Sequence, residues 1–340
     1  MEPIRVMIAG IGGASLGTEL YKSLKHAGSY AIFGCDISPS AYGLYEPGFA
    51  KTYRVDPTRY VRSVLDCCLD AKARFLIPGG EQPMTLLGEA GPLFSEAGIA
   101  LAMNHAGIIA SFSNKHETFK LLEKYGIAIP RTIEVKTAAD LSFVGLPCVV
   151  KPSTGTGGSA SVFYSTSAEE AMTYAEFIRR SGSTPLAQEY VDIANGEFTI
   201  GVLSLPSGSV VGSIALRRAL DAKLSIAFRG RGGVISSGYS QGYIDEFPEL
   251  CNQAETIARA IGSRGPINIQ GRLRNGVLLP FEINPRFSAS TFLRTMAGFN
   301  EVDVLLRYLS NGEIPQRPRI RPGWYLRSLC ERYISQEDLQ

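Results

Sequence analysis

The sequence predicts an α/β domain with a doubly wound parallel sheet, followed by an α+β remainder. Three observations lead there. Short apolar runs alternate with amphipathic helices up to about residue 112. Beyond that point the alternation gives way to hairpin signals built on Pro-Ser-Gly and Asn-Gly turns. A length of 340 residues also exceeds what one core usually holds.

In chain order, residues 4–9 form a strand closed by Gly10-Ile11-Gly12-Gly13, and Leu16 to Leu24 a helix. Strands follow at 32–36, 75–78 and 99–101, separated by helices at 60–71 and 86–96. A helix over 114–125 is opened by Ser113 or Asn114 as its N-cap. Residues 147–152 are a strand running into the loop Ser153 to Ser159. A strand at 161–164, a helix at 168–180 and a strand at 186–191 come next. Hairpins are expected at 197–205 with 209–216, and at 267–274 with 276–283 around Asn275-Gly276, with a helix at 249–261 between them. The Arg-, Gly- and Ser-rich segment 217–238 reads as a loop.

Apolar residues at 45% are enough for ordinary cores, and a net charge of +2 with no basic run gives no electrostatic footprint for nucleic acid. The six cysteines lack disulfide or metal spacing, which suits a reducing cytoplasm. No signal peptide and no apolar run of spanning length are seen, so no membrane partner is expected. The three histidines are dispersed and suggest no metal or triad chemistry.

The segment Pro280-Phe281-Glu282-Ile283-Asn284-Pro285-Arg286 carries the most chemistry. Glu282 and Asn284 are two apart, so on a strand they share one face and offer hard oxygen ligands suited to Mg²⁺ on phosphate. Arg286 adds a fixed cation. Gln270, on the partner strand, fits either a ligand aimed at the same ion or a buried glutamine satisfied by backbone. Lys151 ends a strand before a loop of small residues whose N–H groups can close over a polyphosphate. The pattern is not a P-loop, because no Gly-Lys-Ser/Thr follows and a strand comes next. Gln188-Glu189-Tyr190-Val191 fits either an edge strand or a linker beside an adenine, and Glu197 either a structural acid or a ribose ligand. Gly10-x-Gly12-x-x-Ser15 with Asp36 invites a dinucleotide reading, but the third glycine is missing.

Taken in order, these residues and Lys115 resemble the ATP-grasp superfamily, in particular short relatives of the carbamoyl phosphate synthase large subunit. The resemblance covers nearly the whole chain. It implies a pre-ATP-grasp domain (1–112), a small lobe (113–187) and a large lobe with the metal site (188–340). It implies ATP and one or two Mg²⁺ ions as cofactors, with Mn²⁺ as a substitute. By it, Lys115 and Lys151 hold phosphates, and Ser153, Gly155, Gly157, Gly158 and Ser159 close over them. Gln188, Glu189, Tyr190 and Val191 frame the adenine, and Glu197 takes the ribose. Gln270, Glu282 and Asn284 hold metal, while Arg286 stabilises the transferred phosphoryl. The synthases carry a further arginine where this chain has Ala289, and Arg294 is expected to compensate one helical turn on. Glu81 and Gln82, with Arg217, Arg218 and Arg229, are assigned to the substrate.

The implied function is ligation of a small carboxylate to an amine (or thiol) through an acyl-phosphate, by an enzyme that commonly dimerises. Alternatives are a bicarbonate-using enzyme of the carbamoyl phosphate synthase or carboxylase type and, more distantly, a NAD-dependent oxidoreductase.

Overall fold

The computed structural model describes the chain except residues 1, 14, 155–160, 231, 314, 315, 317 and 318. The first third is a parallel sheet of β1 (Ile4–Ala9), β2 (Tyr30–Asp36), β3 (Lys51–Arg54), β4 (Phe75–Pro78) and β5 (Ala100–Leu101), in the order β3-β2-β1-β4-β5. Helices α1 (Leu16–Ala27), α2 (Tyr60–Asp70), α3 (Glu81–Glu89) and α4 (Gly91–Glu96) cover it. The single helix expected over 86–96 is two: α3 ends at Glu89, and α4 starts with Gly91 and Pro92, a residue that fits a first turn but not a helix interior.

The glycine-rich turn after β1 is held from within. The Ile11 N–H and the Ser38 N–H both donate to the Asp36 carboxylate, at 2.8 and 3.0 Å. Asp36, the residue that suggested a dinucleotide, thus braces the turn of its own domain.

Helices α5 (Ala106–Phe112) and α6 (Lys115–Lys124) lead into the small lobe. Asn114 caps α6 through Oδ1, as the sequence indicated. The lobe's antiparallel sheet contains β6 (Thr132–Glu134), β7 (Cys148–Pro152), β8 (Phe163–Ser165) and β9 (Pro185–Glu189), in the order β6-β9-β7-β8. Helix α7 (Leu141–Val144) and helix α8 (Ala168–Arg180) pack on it.

The large lobe is built on β10 (Glu197–Ser204), β11 (Val210–Arg218), β14 (Gly242–Asp245), β15 (Pro266–Arg274), β16 (Val277–Asn284) and β17 (Gly323–Tyr325), ordered β16-β15-β10-β11-β14-β17. One face buries Phe198, Ile200 and Val202 against α9 (Pro248–Ala260). Segment 217–238, expected as a loop, instead contains the hairpin β12 (Ile226–Gly230) and β13 (Gly233–Ser236). Finally, α10 (Thr291–Met296) and α11 (Glu301–Asn311) pack on α1, so Leu20 and Leu24 share a core with Leu293 and Val302. That shared core fixes the first domain against the large lobe.

Candidate active site

The β15–β16 hairpin turns at Asn275-Gly276, both left-handed (φ +52 and +78), which matches a two-residue primed turn. From that turn the register pairs Arg274 with Val277 and Arg272 with Leu279. Continued unbroken, it would set Phe281 opposite Gln270 and turn Glu282 to the other face. A bulge between Gln270 and Gly271 shifts the register by one residue. Gln270 then faces Glu282, and Asn268 faces Asn284. The metal-ligand candidates therefore converge: Gln270 Nε2 donates to Glu282 Oε2 at 2.8 Å.

The bulge also turns the Phe281 carbonyl to Lys151, whose Nζ donates to it at 3.0 Å and to Gln188 Oε1 at 2.8 Å. Gln188 is oriented in turn by donating to Thr132 Oγ1. Nζ lies 5.0 Å from the centre of the Phe119 ring. Burial, reinforced by repulsion from Lys115 and opposed by Glu282, pulls the Lys151 ammonium down to about 7. Lys115 is placed by its own N–H, which donates to the Ser153 carbonyl, and the Ser153 N–H is tied to Thr184. Ser153 thus anchors the base of the loop through its backbone. Gly155, Gly157, Gly158 and Ser159 lie outside the described residues.

A cavity between the lobes is lined by Lys115, Lys151, Gln188, Glu189, Tyr190, Val191, Glu197, Gln270 and Glu282. Sequence reasoning missed further contributors, among them three residues of β13 and one arginine. Val234, Ile235 and Ser236 come from β13 and cover the cavity, and Arg272 ties its parts together. Arg272 pairs with Glu197 at 2.8 Å, donates to the carbonyls of Val191 and Val234, and lies over the Tyr190 ring. Its two-residue spacing from Gln270 was the available signal. The Tyr190 hydroxyl accepts from the Val234 N–H, so the hairpin of the large lobe is latched to the linker between lobes. Glu189 pairs through its side chain with Arg131 and Arg274, which leaves its backbone as the part facing the cavity.

A second cavity, of about 280 Å³, lies between the first domain and the large lobe. Glu81, Gln82, Met84, Ile109, Phe112 and Asn284 line it, and it shares Lys115, Phe281 and Glu282 with the first. Glu81 opens α3 and reaches Arg286, whose Nη2 donates to Glu81 Oε1 at 2.8 Å.

Four arginines assigned from the sequence stand elsewhere. Arg294 is fully buried, paired with Glu301 at 3.4 Å and donating to Asn268 Oδ1 and Thr199 Oγ1. It is a strut beneath the sheet, too enclosed to meet a substrate. Arg218 is buried too. Its Nη2 donates to the carbonyls of Ser225, Ser237 and Tyr239, which holds the ends of the β12–β13 segment, and its Nε stands 3.6 Å from Glu197. Arg217 pairs across β10 with Phe198, so it leaves the sheet on the α9 side, away from the cavities. Arg229 donates to the Leu220 carbonyl at the surface and is among the lining residues of neither cavity.

The donor set suits a hard divalent ion that keeps water and phosphate ligands. Among the described residues no group of three or more His, Cys, Asp or Glu could hold a metal, and Mg²⁺ typically needs only one or two protein oxygens beside phosphates. Glu282 supplies a carboxylate. Among the described residues the buried Asn284 Nδ2 has no partner, so that carboxamide is not committed to another contact there. Gln270 meets Glu282 as a donor while its Oε1 accepts from Arg218 Nη1 at 3.5 Å, so its amide would have to turn and give up both contacts to present oxygen to an ion.

Comparison with known proteins agrees with this architecture. Residues 186–330 match a family model described as ATP-grasp in the biosynthetic pathway with Ter operon. The carbamoyl phosphate synthase large chain of Rhodopirellula baltica is 25% identical over 297 residues, covering 83% of this chain and 26% of that protein. The chain therefore spans about a quarter of that relative's length. Among solved structures, the biotin carboxylase domain of the Hydrogenobacter thermophilus 2-oxoglutarate carboxylase superposes with a TM-score of 0.69 at 16% identity, covering 95% of this chain and 73% of that one. An L-amino acid ligase from Bacillus licheniformis gives 0.65 at 16% identity, covering 94% and 78%. Two lobes close on a lysine- and carboxylate-lined cavity, residues 186–330 match an ATP-grasp model, and the chain shares the fold of these solved structures.

Proposed function

We propose that the chain is an ATP-dependent ligase that activates a small carboxylate as an acyl-phosphate and joins it to an amine (or thiol), releasing ADP and phosphate. One observation carries this reading. The inter-lobe cavity and the second cavity meet at Lys115, Phe281 and Glu282, so a triphosphate in the first would present its end to an acceptor in the second. The adenine would lie against Tyr190 and Val191, and Glu197 would face the ribose through Oε1, which accepts no hydrogen bond among the described residues and stands 3.6 Å from Arg218 Nε. Lys151 and Lys115 would offset phosphate charge, and the loop from Ser153 through Gly155, Gly157, Gly158 and Ser159 would cover it.

Glu282 and Asn284, with Gln270 beside them, would hold one or two Mg²⁺ ions (or Mn²⁺), which neutralise charge on the terminal phosphates when bound. A substrate carboxylate oxygen attacks the γ-phosphorus and ADP leaves. The amine nitrogen then attacks the carbonyl carbon, expels phosphate and loses a proton. The protein acts through positioning and charge, with Arg286 as the cation at the transferred group. No protein nucleophile is required.

The name of the Bacillus licheniformis neighbour fits this reading, and the Hydrogenobacter structure is described with MgADP and bicarbonate. Similarity to the carbamoyl phosphate synthase large chain favours a second reading in which bicarbonate is the acid phosphorylated. Ala289, where the synthases carry arginine, counts against it. The Hydrogenobacter domain is described as a dimer, and a homodimer is expected here, checked by light scattering. Five of the six cysteines are buried and all six are free, in keeping with a reducing compartment such as the cytoplasm. Among the described residues no helix is long and apolar enough to cross a membrane.

The test is isotopic. With Mg²⁺, ATP and paired acids and amines, ¹⁸O from the carboxylate should appear in released phosphate. Turnover that leaves phosphate unlabelled rejects the acyl-phosphate. ADP release that needs bicarbonate and no amine selects the second reading.

A further inference from the structure

We propose that the cavity between the first domain and the large lobe takes an α-amino acid with an apolar side chain, bound as its zwitterion, as the acid to be activated. The proposal rests on the carboxylate-activating reading above and names its substrate class.

The Glu81–Arg286 pair is the centre of the argument. Glu81 lines the cavity and Arg286 directly follows the lining residue Pro285; 205 residues apart in sequence, the two meet at 2.8 Å at the cavity's edge, with side chains 30% and 18% exposed. The pair is partly wet, so ligand charges can compete for both members. Glu81 sits in the first turn of α3. Among the described residues the buried Arg286 Nε has no partner, which leaves the guanidinium a donor for a ligand.

A ligand bearing only a carboxylate would take Arg286 and leave Glu81 facing an anion. One bearing only an ammonium would do the reverse. An α-amino acid supplies both charges two bonds apart and can exchange with the whole ion pair, its carboxylate toward Arg286 and its ammonium toward Glu81. That carboxylate would then stand near Asn284 and Glu282, where the two cavities join. Neither charge of the pair is left unpaired in the exchange, which is the costly outcome in a partly buried site.

The rest of the wall describes the side chain. Met84, Ile109, Phe112 and Phe119 are all nearly buried and form an apolar stretch of a wall that also carries Gln82, Thr85, Ser113 and Thr118, with Lys115 and Glu282 at the junction of the two cavities. An apolar group of a few carbons would remove water from this surface, at about 0.8 kcal/mol for each CH₂ fully buried. At about 280 Å³ the space is far larger than a bicarbonate ion needs.

The experiment uses the full chain with Mg²⁺ and a non-hydrolysable ATP analogue. Calorimetry compares alanine, valine, leucine, methionine and phenylalanine with their deamino acids, with the matching amines and with bicarbonate. At least one amino acid should bind tenfold or more tightly than both its deamino acid and its amine, and Glu81→Gln should erase that preference. No amino acid exceeding its deamino partner, or saturation by bicarbonate alone, overturns the proposal. The ligand series on the unaltered protein decides the matter even where the variant fails to fold.

A second arm keeps the two readings apart. With ATP and hydroxylamine, an acyl-phosphate is trapped when the hydroxylamine nitrogen attacks the carbonyl carbon, expels phosphate and loses a proton, giving a hydroxamate. Hydroxamate from the preferred amino acid supports the proposal. Hydroxamate from deamino acids but from no amino acid overturns it while sparing the ligase reading. Tight amino acid binding with no hydroxamate from any acid supports the binding site and overturns the ligase reading.

Discussion

The Lys151 ammonium donates to the carbonyl of Phe281 at 3.0 Å, and this bond joins the small lobe to the bulge that aims Glu282 and Asn284. The lysine is buried and its pKa is drawn down to about 7 by that burial and by Lys115. Phosphate anions arriving beside it would favour the charged form and raise the pKa again. Between about 7 and the ordinary lysine range, nucleotide binding must therefore take up a proton. Affinity for ATP should weaken by roughly tenfold per pH unit above neutrality. Calorimetry in buffers of different ionisation enthalpy measures that uptake, and Lys151→Met should remove it. The sign for folding is set by the same shift. In that window the unfolded chain binds more protons at this residue than the native one, so Lys151 makes the unliganded protein more stable as pH rises and less stable as pH falls toward 7. A pH-independent ATP affinity with no proton uptake would contradict this account.

The latch between lobes depends on one hydroxyl. Tyr190→Phe removes the acceptor of the Val234 N–H, a group half shielded from water, at an expected cost of about 1–3 kcal/mol. Because the latch holds β13 over the nucleotide cavity, the loss should appear mainly as a raised KM for ATP. Gly233→Ala attacks the same contact from the other side, since a Cβ there would overlap the Tyr164 ring. Both variants should increase protease cleavage within 226–236, measured by limited digestion with and without nucleotide. Unchanged KM and unchanged digestion in both would show that the hairpin is not held this way.

Arg286 should separate chemistry from nucleotide binding. It touches Glu81 and the Phe287 carbonyl but does not line the inter-lobe cavity. Arg286→Ala should lower kcat by about 10²–10³ while the Kd for ATP stays within a factor of about three. Arg286→Lys should recover only part of the loss, because an ammonium cannot reproduce the fork. Single-turnover phosphate release, alongside equilibrium nucleotide binding, makes the comparison. Equal losses in both measurements would move Arg286 to the nucleotide.

Much of this arrangement was legible in the sequence because it is periodic or local. The Asn275-Gly276 turn, the Asn114 cap and the two-residue spacing of Glu282 and Asn284 are each short-range, and each appears in the structure. The bulge was not legible. Counting from the turn alone sets Gln270 opposite Phe281, so the convergence of Gln270 with Glu282 depends on one extra residue that no periodicity announces. The arginines failed for another reason. A guanidinium in a functional stretch reads as a ligand for anions, yet Arg294 and Arg218 spend their donors on buried carbonyls, an amide and carboxylates. Burial is a tertiary property, and a sequence with Arg on a strand or helix does not disclose which face is closed. The hairpin at 226–236 was likewise hidden, because its Arg, Gly and Ser content resembles a loop while its pairing is set by contacts to Tyr164 and Tyr190.

Arg294 supplies the sharpest test of that distinction. It and Glu301 are both buried, and Gly201 is the only residue type that leaves room for them, since a Cβ at 201 would collide with both side chains. Burial pushes the Glu301 carboxyl above its ordinary range, against the lowering effect of Arg294, so removing the arginine leaves a poorly solvated acid. Arg294→Met should destabilise the fold by about 3–5 kcal/mol, read from urea unfolding. Adding Glu301→Leu should restore most of that loss, because the stranded charge goes with it. The active site should feel Arg294 only through Asn268, whose Oδ1 it shares with Thr199 and which faces Asn284 across the strands. The double variant should therefore keep nucleotide binding within about tenfold of the parent once its stability returns. A stable double variant that binds nucleotide normally but has lost turnover by the 10²–10³ typical of a missing charge-stabilising donor would return Arg294 to the chemistry.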